Sequence, residues 1–280
     1  MSTLEFRLNY LWQIRWLSMI FLQKIALPTG NPRQFPFSIP AFKGLETLDF
    51  KSPITVFVGE NGSGKSTLLK ALAMKINLPA IGSTDLEQDD TLTGFRDFSE
   101  GIITRWERTK TYRGFFFRAE DYFGFVKRLR SIDQELKGDI VDFEKNLSGY
   151  GLKVAVGAIL GQKEALQRKY GDLTQVSHGE GFIKVLQSRI QAEGIYLIDE
   201  PEAALSPQRQ LALFSMIKNL AVNENCQFII ATHSPILMSL PEAQIMQFDD
   251  TIHEVKVEET EHFTIMKNFL NNPEAFLRYL

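Results

Sequence analysis

Apolar residues fall along this chain in two rhythms. Short runs with almost no polar interruption, at 54–58 (Ile-Thr-Val-Phe-Val), 195–198 (Ile-Tyr-Leu-Ile) and 228–231 (Phe-Ile-Ile-Ala), have the length and make-up of strands buried on both faces. Between them, apolar positions spaced three and four apart against a charged face predict helices over 63–76, 121–147, 181–192 and 207–223. Further strands are expected at 19–27, 45–50 and within 101–117. Residues 244–248 and 252–257 flank Asp249-Asp250 and predict a hairpin, while 261–280 reads as a helix interrupted at Pro273. The Gly- and Pro-containing stretch 28–40 and the polar, acidic stretch 77–100 are expected to be loops. Apolar strands beside amphipathic helices predict an α/β fold with a mostly parallel central sheet covered on both faces. An antiparallel β portion and a short helical lobe within 101–175 complete the expectation.

The first buried run leads directly into Gly59-Glu60-Asn61-Gly62-Ser63-Gly64-Lys65-Ser66, with Thr67 opening the helical pattern behind it. This is a phosphate-binding P-loop with the strand before and helix after that the motif requires. Glycine lets the backbone turn tightly and aim N–H groups at an anion. The helix that follows places the positive end of its dipole beneath the phosphates. Lys65 is expected to reach the β- and γ-phosphates, and Ser66 to offer its hydroxyl to Mg²⁺. The ligand class is a nucleoside triphosphate, with ATP expected.

The second run ends in Asp199-Glu200, the Walker B arrangement of a rigid apolar strand terminating in carboxylates. Asp199 is expected to hold Mg²⁺ through a water, and Glu200 to activate the attacking water. The third run ends in Thr232-His233-Ser234-Pro235, which sets His233 near a γ-phosphate. Upstream, Ser177, Gly179 and Glu180 in Ser-His-Gly-Glu-Gly form a small-residue anion cradle just before a helix. Taken alone, that stretch reads better as a helix cap with a flexible turn; its place about twenty residues before Asp199 favours the anion cradle.

Composition narrows the remaining choices. The 280 residues are 44% hydrophobic, enough for a substantial core, and the net charge of -3 argues against a general nucleic-acid coat. Cys226 is the one cysteine, so no disulfide can form within the chain. The most apolar N-terminal stretch carries Arg15 and Lys24, which excludes a membrane span there. No secretory signal pattern is visible, and a cytoplasmic location is expected. Residues 1–18, with Tyr10, Trp12 and Trp16, read as an N-terminal extension or as the product of an upstream start before Met19. Arg105, Arg108, Lys110, Arg113, Arg118, Lys127, Arg128 and Arg130 concentrate positive charge in one stretch. They read either as a nucleic-acid face or as a solvated surface diluted by Glu107, Glu120 and Asp121.

The order of these motifs resembles ATPases of the ABC class, and most closely a family of small bacterial ATPases of AAA/ABC type related to RecF and SMC heads. The stretches Gly114 to Phe123, Ser177 to Phe182, Leu197 to Leu213, Phe228 to Leu237 and the closing Glu259-Thr260-Glu261-His262-Phe263 carry the resemblance, which runs from about Met19 to the C-terminus. It implies a P-loop NTPase fold in one domain over 19–280. It implies an ATP-dependent head-to-tail homodimer in which Ser177 of one copy meets the γ-phosphate held by Lys65 of the other. Ala204-Leu205-Ser206 takes the D-loop position, with serine where many members carry aspartate, and Phe117-Arg118-Ala119-Glu120 lies where a Q-loop is expected. The signature departs from the transporter form, which favours a switch in DNA-related or phage-defence processes, with nucleic acid or an effector protein as partner. A transporter's nucleotide-binding subunit is the alternative. A GTPase or small-molecule kinase fits less well, because no guanine-reading Asn-Lys-x-Asp motif is visible.

Overall fold

A computed structural model describes residues 20–81, 93–107, 110–170 and 178–278. Ser177, Arg108 and the segment 1–18 lie outside the described residues.

Among the described residues, ten strands divide between two sheets. The larger holds β3 (Ile54–Gly59), β4 (Ala80–Ile81), β6 (Gly114–Arg118), β7 (Ile195–Asp199), β8 (Gln227–Ala231), β9 (Gln244–Phe248) and β10 (Ile252–Val255) among the described residues. Their order across the sheet is β10-β9-β3-β8-β7-β6-β4. All neighbours run parallel except β10, which pairs antiparallel with β9 through the turn at Asp249-Asp250. The smaller sheet is antiparallel and joins β1 (Leu22–Ala26), β2 (Thr47–Asp49) and β5 (Ile103–Trp106) in the order β2-β1-β5. This is the α/β architecture expected: mostly parallel, with a small antiparallel portion.

Alternation along β3 explains why its residues are so uniformly apolar. Phe57 faces one core, with α1 (Lys65–Lys75) and the small sheet. Val56 and Val58, on either side of it, face the opposite core, shared with the helices α3 (Ala119–Asn146), α5 (His178–Arg189) and α6 (Pro207–Asn223). Each central strand is therefore apolar on both faces because each face is covered. After β8 the chain enters the one-turn α7 (Pro235–Met238), where Ser234 Oγ accepts from the N–H groups of Ile236 (3.2 Å) and Leu237 (3.3 Å).

Two glutamines tie the small sheet to the large one. The fully buried Gln227 accepts from the backbone N–H groups of Phe21 (3.0 Å) and Leu22 (2.9 Å) and donates to the Leu22 carbonyl (3.0 Å). Gln244 does the same for the chain after β2, accepting from Lys51 N–H at 2.9 Å and donating to the Asp49 carbonyl at 3.1 Å. Each amide satisfies edge groups that the two sheets cannot satisfy between themselves.

The structure departs from the sequence expectation in three places. The stretch expected as a loop over 77–100 contains β4 and most of α2 (Thr93–Gly101). Phe95 and Phe98, three residues apart, bury one face of that helix, and Phe98 stacks on Phe42 with centroids 5.4 Å apart. The β-rich run over 101–117 is two strands in different sheets. Finally, α4 (Gly149–Tyr170) has no counterpart in the expected elements, because glycines at 149, 151, 157 and 161 weaken the helical signal. It folds back on the 28-residue α3, with Leu136 and Ile159 buried. Asp133 bridges Lys137 (2.6 Å) and Lys163 (3.3 Å) between the two helices. Ion pairs at the surface contribute about 0–1 kcal/mol each, so the packed apolar positions hold the hairpin.

The double tie at Gln227 gives a stability prediction. Gln227→Leu leaves two N–H groups and a carbonyl unpaired in the interior, and should lower unfolding free energy by about 3 kcal/mol in urea titration. A loss below about 1 kcal/mol would show that the amide is dispensable.

Candidate nucleotide-binding site

The end of β3 turns into α1 through a loop that only glycine fits at two points. A Cβ on Gly59, whose φ is +142°, would overlap the Phe248 carbonyl oxygen. Gly64, at φ +107° and the helix N-cap, lies against Ile39 and Phe42. Lys65 is nearly fully buried, and its ammonium donates across the loop to the carbonyls of Gly59 (2.8 Å) and Glu60 (2.7 Å). Burial lowers its pKa, opposed by the nearby carboxylates of Glu200, Asp199, Glu202 and Glu60.

Parallel pairing brings the remaining groups to the same sheet edge. Asp199 is registered with Ala231 of β8 on one side and Arg118 of β6 on the other. Ser66 donates its hydroxyl to Asp199 Oδ1 at 2.8 Å, while Arg118 Nε stands 3.5 Å from Oδ2 and its Nη2 bonds Glu120 at 2.8 Å. Burial pushes the Asp199 carboxyl up to about 6, against the pull of Ser66 and Arg118. A hydroxyl and a carboxylate oxygen in contact form the hard-oxygen donor set that suits Mg²⁺, so the residues present fit that ion.

Beyond Asp199 the chain reverses sharply. Glu200 takes a left-handed conformation (φ 47°, ψ 51°) and donates its N–H to the Ala231 carbonyl at 2.9 Å. Its Oε1 lies 3.8 Å from His233 Nε2. Two residues on, the Glu202 carboxylate turns back to accept from Thr232 Oγ1 (2.7 Å) and from the His233 N–H. Burial raises the Glu202 pKa, with those hydrogen bonds opposing. The His233 ring is held down at about 4 by burial, by Lys65 and by His262. Its Nδ1 is 3.0 Å from His262 Nε2 on α8 (Glu261–Asn271).

Glu200, Glu202, His233 and His262 line an open pocket of about 730 Å³, with Glu60 and Asn61 of the loop and Glu261, Ile265 and Met266 of α8; Lys65, Ser66 and Asp199 lie beside it, joined to the loop and to one another by the hydrogen bonds above. The structure thus brings together the loop residues, Lys65, Ser66, Asp199, Glu200 and His233. It does not bring Gly179 and Glu180 to this pocket. They sit in the first turn of α5, which begins at His178 and so earlier than the expected 181. Gly179 packs close to the Ala204 carbonyl, and Glu180 pairs with Lys184 (3.2 Å) and Arg209 (3.4 Å). Among the pocket residues that escape a reading of the sequence are Glu202 and His262. Nothing in the linear order shows that Glu202 folds back to the β8 end. His262 lies 29 positions from its partner His233, and its only signal is its place in the closing Glu-Thr-Glu-His-Phe stretch.

Known proteins share this sequence and fold in part. The AAA ATPase domain family matches residues 81–238, more than half of the chain. The lipoprotein-releasing system ATP-binding protein LolD of Ehrlichia ruminantium is 28% identical over 192 residues, covering 67% of this chain and 77% of LolD. The phosphonates import ATP-binding protein PhnC of Treponema denticola is 24% identical over 68% of this chain and 74% of its own. Among solved structures, an SMC head domain from Pyrococcus furiosus bound to the C-terminal domain of ScpA aligns over 91% of this chain and 100% of its own. It does so at 13% identity with a TM-score of 0.46.

Two groups at this edge, the buried Asp199 and the half-buried His233, titrate with opposite effect. The raised Asp199 pKa contributes stability that is present below pH 3.8 and lost as pH rises through about 6. The lowered His233 pKa contributes stability that is present above pH 6.5 and lost as pH falls through about 4. Asp199→Asn removes the first contribution and leaves the second. In EDTA, the stability of the variant relative to wild type should therefore grow by about 2–3 kcal/mol between about pH 4 and pH 7. A pH-independent difference would contradict the burial of an ionising Asp199.

Proposed function

The chain belongs to the AAA ATPase domain family, and from that premise we propose that it hydrolyses ATP to ADP and phosphate at the pocket on the sheet edge. The observation that carries this reading is the 2.8 Å contact between Ser66 Oγ and Asp199 Oδ1, which joins the phosphate loop to the Walker B strand. Ser66 and Asp199 would hold Mg²⁺, which neutralises phosphate charge when bound. Residues 59–67, as the anion-binding turn of the motif, receive the triphosphate through backbone N–H groups. Lys65 exchanges its two loop carbonyls for phosphate oxygens and stabilises charge as it develops. Glu200 orients the attacking water and takes its proton, a role that its position in the pocket supports. Its left-handed backbone is a local strain of the kind found where a side chain must be aimed. His233 faces the terminal phosphate.

Residues 19–280 act as one ATPase domain in this reading, with the α3–α4 hairpin as its lobe. The functional unit is a head-to-tail homodimer. The Ser177, Gly179 and Glu180 turn of one copy closes the pocket of the other, in keeping with the position of Gly179 and Glu180 away from their own pocket. ATP hydrolysis then works as a dimerisation switch, in the cytoplasm, in DNA-related or phage-defence processes. Exposed Arg105, Lys127, Arg128 and Arg130 support a nucleic-acid partner, although Arg113 and Arg118 are engaged within the protein. No helix among the described residues is long and apolar enough to cross a membrane. A second reading, the ATP-binding subunit of a transporter, is favoured by the import and release roles for which PhnC and LolD are named. Co-purification with a membrane protein would support that reading. Turnover stimulated by DNA, with steep salt dependence, would support the first.

Glu200→Gln should retain ATP binding, lower kcat by on the order of 100-fold or more, and accumulate a dimer by sedimentation velocity in ATP and Mg²⁺. Lys65→Ala should lose tight ATP binding by calorimetry. Near-wild-type turnover in the first, or unchanged affinity in the second, would remove that residue from its role.

A further inference from the structure

The His233 ring has two nitrogens in different surroundings, and each restricts the other. Nδ1 lies 3.0 Å from His262 Nε2, within hydrogen-bond distance. Nε2 is buried without a hydrogen-bond partner and faces the carboxylate of Glu200 at 3.8 Å. The charged groups around the ring come from three elements: Lys65 on α1, Glu200 and Glu202 after β7, which lie against its Nε2 and its backbone N–H, and Glu261 on α8, which lines the same pocket.

Two neutral arrangements satisfy the His233–His262 contact. If His233 donates from Nδ1, its Nε2 carries a lone pair, which then points at a carboxylate oxygen in a buried site. If His262 donates from Nε2, His233 accepts at Nδ1 and carries its proton on Nε2, directed at Glu200 and the pocket. The second arrangement replaces lone-pair repulsion with attraction, and low local polarity enlarges the difference. The cationic ring is disfavoured at neutral pH, because burial and Lys65 hold its pKa at about 4.

We propose that His262 is a positioning residue that donates from Nε2 to His233 Nδ1, holding His233 in the Nε2–H tautomer so that it offers a hydrogen-bond donor to a terminal phosphoryl oxygen. The two rings meet at 4.8 Å between centroids with a 53° tilt, a contact that also restricts rotation of the His233 ring. α8 thereby reaches the reacting end of the pocket through one side chain. Mutating His262 should act on turnover through His233 and not through nucleotide affinity.

The test has two arms. In the nucleotide-free protein, long-range nitrogen–proton correlation spectra assign the tautomer of His233, with His233→Asn identifying its signals. Wild type should show His233 protonated at Nε2. His262→Phe should show a mixture or the Nδ1–H form, and His262→Gln, whose amide N–H can replace the donor, should restore Nε2–H. This arm is independent of the ATPase reading. The kinetic arm rests on that reading: His262→Phe should lower kcat on the order of tenfold or more with KM nearly unchanged, and His262→Gln should recover most of the loss. Wild type with His233 protonated at Nδ1, or a tautomer unaltered in His262→Phe while His262→Gln confirms an intact fold, overturns the proposal. Absence of turnover in wild type would overturn the ATPase reading, and the spectra would still decide the tautomer.

Discussion

Everything at this site depends on the register of three adjacent parallel strands. β3, β8 and β7 are paired so that Phe57 aligns with Ala231 and Ala231 with Asp199. Their carboxyl ends therefore finish at one edge, and the chain leaving each end delivers a different group: the anion-binding loop, His233, and the Asp199-Glu200 pair. A slip of one residue in any strand would turn its apolar set to the wrong face and carry its terminal group out of reach. The buried core on both faces is what forbids that slip, so packing holds the geometry of the site. The hydrogen bond from Ser66 to Asp199 closes this arrangement by linking α1 to the strand behind it.

The edge holds opposite charges in a nearly dry setting. Lys65, Asp199, Glu202 and His233 are each pushed toward their neutral forms by burial, the two acids upward and the two bases downward. Such groups are costly to assemble and the fold offsets that cost with partners: loop carbonyls for Lys65, Ser66 and Arg118 for Asp199, and Thr232 with the His233 backbone for Glu202. Fixed dipoles already aimed into a pocket need little reorganisation in the reaction proposed for it. Glu202 has a further consequence, because it fastens the segment after β7 to the turn after β8. A displacement of the Ala204–Ser206 stretch, against which Gly179 packs, is thereby connected to the ring of His233.

Much of this was legible in the linear sequence for a physical reason. A buried parallel strand has to be apolar throughout, so β3, β7 and β8 announce themselves, and the residues at their ends are then located without knowing the tertiary structure. The phosphate loop is equally legible, because its glycines answer to backbone geometry. What stays hidden depends on contacts between distant segments. α2 is a polar-looking stretch whose Phe95 and Phe98 matter only once Phe35 is placed beside the first and Phe37 and Phe42 beside the second. α4 is glycine-weakened and gains its form by packing on α3. Gln227 and Gln244 look like ordinary polar positions at strand starts until the second sheet is laid across them. His262 belongs to the same class: its chemistry comes from the ring it meets, and no local pattern records that meeting.

The central claim is that the strand-edge pocket is half of an ATP site that a second copy completes. Specific ATPase activity measured against protein concentration in Mg²⁺ tests it most directly. The account predicts turnover per subunit that falls toward zero on dilution, rises to a plateau as the chain self-associates, and vanishes in EDTA. Turnover per subunit that stays constant on dilution to fully monomeric protein, or no turnover at any concentration, would contradict it.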